Sequence, residues 1–248
     1  MVFIGTTLIV GFFFLIRGIQ KKMNNLVVIA IGFVALPIGF IGNFLLNFGF
    51  LFQEFLVFFG FTLTVIFTNM TFHKNRKSYP NLILAFAVIL GIIQIIFHAI
   101  ATFTPFNFYY ERVLLDVPYT LLIFNWLSGS SYSAYKLLKN QDIEPWIKVR
   151  YKKVAIFSFI LSFHNIPEFF QPVGTLWGDY DNAISLIVFG ITAILAVAFS
   201  LGFACAWIMP NWLKRQFNKD YHPPKDIELS EEDLINLIKK QLSNGTNK

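Results

Sequence analysis

Apolar runs about twenty residues long alternate with short clusters of charged and turn-forming residues over most of the chain, as far as about residue 208. A bilayer core about 30 Å thick is crossed by about 20 helical residues, each rising 1.5 Å. Seven segments have that length: 2–19, 25–48, 50–72, 81–103, 115–138, 153–172 and 183–208. They predict an all-α polytopic membrane protein, a seven-transmembrane-helix bundle occupying residues 1–208. The first segment has no basic stretch before Val2 and no small-residue cleavage site, so it reads as a retained helix and not a signal peptide.

Pro210 cannot continue a helix, and Trp212, Lys214 and Arg215 behind it suit a membrane interface. Residues 209–248 therefore form a tail. Pro223 and Pro224 interrupt it, Ser230 with Asp233 three residues on resembles a capping box, and Lys239 and Lys240 suit the last turn of a helix near 230–243. Leu234, Ile235, Ile238 and Leu242 share one face of that helix, available to the membrane, the bundle or a cytoplasmic protein partner. The tail is too short for an output domain with its own core.

Composition supports lipid as the main solvent. Hydrophobic residues make up 56% and charged residues 14%, against about 25% charged in soluble domains. Charge then sets orientation, because cytoplasmic loops near helix ends collect Lys and Arg. The stretches 17–24, 73–80, 136–153 and 209–248 hold 19 of the 20 basic residues; the remaining one is Arg112. Those stretches are expected in the cytoplasm, with the N-terminus outside and the C-terminus inside, in a plasma membrane. The opposite side carries Glu54, Glu111, Asp116, Glu168, Asp179 and Asp181. Topology and anionic lipid account for the pI near 9.3, so no nucleic-acid partner is implied. The lone Cys205 forms no intrachain disulfide and is expected to pack as a small apolar residue.

Polar side chains inside a bilayer cost free energy unless paired or wet, so their placement carries the functional information. Asn43 lies near the outer end of the second segment and Glu54 near the outer start of the third. Gln94 and His98 share a face of the fourth; His164 and Glu168 repeat that spacing in the sixth, with Asn165 beside them. Asp116 opens the fifth, and Asn125 lies about 13 Å further in. If these groups converge they form a polar cavity open to the outside. The same side chains also suit plain interhelical hydrogen bonds, worth about 1 kcal/mol each, or a metal. Aromatic residues Phe106, Phe108, Trp177 and Tyr180 fit the headgroup belt.

Three known seven-helix architectures fail on particular residues. The zinc hydrolases of the progestin-receptor and ceramidase type cluster His in the last helix, and 183–208 has none; microbial rhodopsins need a Schiff-base Lys there, also absent; the paired proline-containing repeats of SWEET sugar transporters are not found. No phosphate loop or nucleophile elbow is present, so an enzyme is the least supported class, and no cofactor or metal is implied. The expectation is a receptor or sensor-like protein binding an unknown small ligand outside. Its alternatives are a small-solute transporter using Thr68, Asn69 and Ser130 to Ser133 as an inner path, and a non-catalytic structural subunit of a membrane complex.

Overall fold

The computed structural model describes residues 2–74, 79–104, 109–175, 177–219 and 221. The helices are α1 Val2–Gln20, α2 Asn24–Phe44, α3 Phe50–Phe72, α4 Tyr79–Phe103, α5 Tyr109–Leu138, α6 Pro145–Leu161, α7 Ala183–Trp207 and a short α8 Asn211–Phe217. A 3₁₀ turn, Ile166–Phe170, lies between α6 and α7, and there is no strand among the described residues. Five helices, α1, α2, α3, α4 and α7, are long and apolar enough to cross a membrane. Their outward faces carry Ile9, Phe13, Ile92, Ile96 and Ile194, the last 68% exposed. Water would penalise so broad an apolar surface and lipid does not, which marks an integral membrane protein.

Consecutive helices pack side by side, and α1 also packs on α7. The ring α1, α2, α3, α5, α6, α7 is thereby closed, with α4 outside it against α3 and α5 alone. Where lipid removes the hydrophobic drive between helices, close backbone approach supplies dispersion energy. Gly32 and Gly60 allow it between α2 and α3: a Cβ on Gly32 would stand 3.1 Å from the Gly60 carbonyl oxygen.

One end of the bundle carries Arg17, Lys22, Lys74, Lys136, Lys153 and Lys214, and the other Glu54, Asp116, Glu168 and Asp181. Toward the basic end the centre is solid. Phe203 of α7 has the rings of Phe14, Phe33, Phe67 and Phe199 at 5.4–5.8 Å and Trp207 at 6.2 Å, pairs worth about 0.5–1.5 kcal/mol each beyond their burial. Beside this plug, His73 pairs with Ser130 at 2.9 Å and stacks on Trp126. Trp126 donates to Asn69 Oδ1, which in turn donates through Nδ2 to the Pro80 carbonyl. The chain His73, Trp126, Asn69 ties α3, α4 and α5 together.

Several expectations need correction. The second segment stops at Phe44, because Asn47 and Gly49 take positive φ of 54° and 89° in the connection to α3. The sixth, expected as one helix over 153–172, is displaced: α6 starts at Pro145, whose fixed φ suits a first turn, and ends at Leu161. Pro167 lacks an N–H, and its ring disfavours α-helical backbone at Ile166. The bonds therefore tighten to His164 N–H to Leu161, Ile166 N–H to Phe163 and Glu168 N–H to Asn165. His164 and Glu168 are not one turn apart on an α-helix. Cys205 is exposed on the outward face instead of packed. The tail helix near 230–243 and the aromatics Phe106 and Phe108 lie outside the described residues.

Candidate functional site

Toward the acidic end the helices part around a cavity of about 450 Å³, lined from all seven long helices and from the connection between α6 and α7. Its floor is aromatic. Phe33 stacks on Phe199 at 5.8 Å, Phe124 meets Phe199 at 5.6 Å and Phe61 meets Phe124 at 5.2 Å, which separates the cavity from the Phe203 plug below. Over the opposite end, Gln171 donates to Ser185 Oγ at 2.9 Å, and Ser185 Oγ accepts from Gly178 N–H. These bonds anchor the connection that brings Trp177 into the wall, with its ring 6.0 Å from Phe40 and 4.8 Å from Phe189. Trp177 thus lines the cavity, and Tyr180 is 90% exposed.

Along one wall the lining turns polar. In α3, Glu54 is held from behind by a relay: Asn43 Nδ2 donates to Gln53 Oε1 at 2.9 Å, and Gln53 Nε2 donates to Glu54 Oε1 at 3.2 Å. From α4, Gln94 and His98 reach between α3 and α5, as their four-residue spacing allows. His98 Nε2 stands 3.5 Å from Glu54 Oε2 and 3.5 Å from Asp116 Oδ1, and Gln94 lies beside the Asp116 carboxyl. Phe50 presents its ring to the His98 imidazole at 5.1 Å and to the Arg112 guanidinium at 5.3 Å. Glu168 and Arg112 lie near enough to Asp116 to act on it electrostatically. Asn165 donates to the Asp116 carbonyl at 3.4 Å. His164 sits deeper, with Nδ1 2.8 Å from the Leu161 carbonyl and its ring against Phe61 and Phe124.

The structure therefore brings Glu54, Gln94, His98, Asp116, His164, Asn165 and Glu168 to one cavity. Asn43 stands behind Gln53 and does not line it. Asn125 is exposed on the outward face of α5. At about 100° per residue, nine positions beyond Asp116 amount to about half a turn net, so Asn125 points away from the site. Gln53, Arg112, Gln171 and the bonded pair Thr7 and Ser200, 3.2 Å apart, also line the cavity and were not singled out from sequence. Arg112 alone had a visible signal, as the single basic residue on the acidic side.

The cluster has open valence. Gln94 Oε1, Asp116 Oδ1 and His98 Nδ1 are buried and have no hydrogen-bond partner. No group of three His, Cys, Asp or Glu among the described residues is arranged to hold a metal ion. No family model matches the chain, and neither a curated protein nor a solved structure matches it.

Proposed function

We propose that this protein is a seven-span receptor or sensor-like protein of the plasma membrane, with the N-terminus outside, that binds a small ligand in the acidic-end cavity. The one-ended cavity carries the proposal: polar and hollow at the acidic end, it closes onto the Phe203 plug. The reading of seven spans adds α5 and α6 to the five apolar helices and is supported by their packing against neighbours long enough to cross. The excess of basic residues at one end supports a cytoplasmic position for it, with the loops and tail as the proposed route to a protein partner.

A transporter needs a second path through the basic half. Of its expected members, Asn69 and Ser130 are engaged with Trp126, Pro80 and His73, and Thr68 donates to the Thr64 carbonyl, while Ser131 is buried with no hydrogen-bond partner. A purely structural subunit gives no reason for a cavity lined by carboxyls and unpaired acceptors.

The two dynamic alternatives separate in membranes of known sidedness. With Cys205 replaced by Ala, a thiol introduced by Ala193→Cys in the cavity wall should react with an impermeant maleimide from outside and not from the cytoplasmic face. Reaction from both faces would identify a transporter; reaction from the cytoplasmic face alone would reverse the orientation.

A further inference from the structure

Charge and hydrogen-bond valence at the polar wall specify a ligand more narrowly than a cavity does. Glu54, Asp116 and Glu168 come from three separate segments and share the wall with one guanidinium, Arg112. With all three carboxyls ionised, even a protonated His98 leaves the group with an excess negative charge. Such a charge in a low-dielectric site needs a cation or a proton.

The orphaned atoms point the same way. Gln94 and Asp116 line the cavity and are 6% and 5% exposed, and each keeps one buried oxygen that accepts no hydrogen bond, the Asp116 one with only His98 Nε2 near it at 3.5 Å. An amide oxygen and a carboxylate oxygen only accept, so they are completed by a ligand that donates. A bare metal ion fits poorly, because no three ligating side chains are suitably arranged among the described residues. The rest of the enclosure is apolar, with Phe33, Phe61, Phe124 and Phe199 at the floor, able to bury a hydrophobic body and to face a cation with ring π-clouds.

We propose that the cavity binds an amphiphilic organic cation, with a protonated amine seated among Glu54, Asp116, Glu168 and Gln94 and its apolar part against the phenylalanine floor. The amine charge sits against the carboxyl group, and its N–H groups donate to the Gln94 and Asp116 oxygens once those side chains turn them to the cavity. This rests on the ligand-cavity proposal above, and it fails separately from it.

The test uses the full-length Cys205→Ala, Ala193→Cys protein in detergent. The thiol is modified with two methanethiosulfonates of similar size, one ending in trimethylammonium and one in sulfonate, each rate divided by that with a small free thiol. Clefts of one sign concentrate counter-ions by a factor of about 10 or more, so the normalised ratio should favour the cationic reagent about tenfold. Asp116→Asn and Glu168→Gln should each reduce that preference severalfold; Asp181→Asn, on an exposed position away from the cavity, should leave it unchanged. In the same protein 2-phenylethylamine should protect the thiol at concentrations where 2-phenylethanol and 3-phenylpropionate do not. No reaction with either reagent would remove the open cavity itself. Reaction without cation preference, or equal protection by amine, alcohol and carboxylate, would overturn the organic-cation proposal and leave the cavity standing.

Discussion

Phe157 and Gly202 interlock where α6 crosses α7: a Cβ on Gly202 would run into the Phe157 ring. The neighbouring Phe203 is fully buried at the centre of the aromatic plug. Two outcomes follow at this scale. Gly202→Val overpacks the contact and should cost about 1–3 kcal/mol, read as a drop in thermal midpoint of several degrees in detergent. Phe203→Ala removes a buried ring at a cost of about 3–5 kcal/mol and opens the plug. The thiol at Ala193→Cys should then become reactive from both membrane faces in whatever fraction stays folded; continued one-sided reaction would show that the plug is not the barrier.

Among the elements, the break after α6 shapes the site most. α6 ends at Leu161 and Pro167 keeps α-helical bonding from resuming, so the 162–170 stretch folds across the bundle and delivers His164, Asn165 and Glu168 together to the cavity. Pro167→Ala restores a donor and permits α-helix, so Glu168 should turn from the wall and the cationic reagent should lose part of its advantage at Ala193→Cys. An unchanged ratio would separate the proline from the site. Most helix positions and the shared face of Gln94 and His98 were legible from apolar length and helical spacing, whereas the inward turn of Asp116 was not. Asn125 was misplaced because depth was weighed without its angle around α5. The displaced α6 was not legible from hydropathy, since Lys148, Arg150, Lys152 and Lys153 lie within the helix and mask its start. Gln53 and Trp177 owe their places to partners distant in sequence, Asn43 and Phe40, which a local pattern does not reveal.

For the molecule as a whole, the segregation of basic residues predicts orientation: a thiol at Lys219→Cys should stay unlabelled by an impermeant reagent until cells are permeabilised, and labelling of intact cells would invert the topology. The remaining question is whether the polar wall holds the bundle together or waits for a ligand. Interhelical glue weakens when a member is removed; a site that crowds carboxyls together gains, because binding function is bought with stability. Asp116→Asn keeps shape and acceptor oxygen while removing one charge from the Glu54, Asp116 and Glu168 group. The most direct measurement is the thermal midpoint of ligand-free Asp116→Asn against the parent protein in the same detergent. Relief of about 1 kcal/mol corresponds to about 2–4 °C for a chain of this size, and the account predicts an unchanged or higher midpoint by that amount. A midpoint lower by several degrees would mean that Asp116 is structural glue, contradicting a cavity held ready for a ligand.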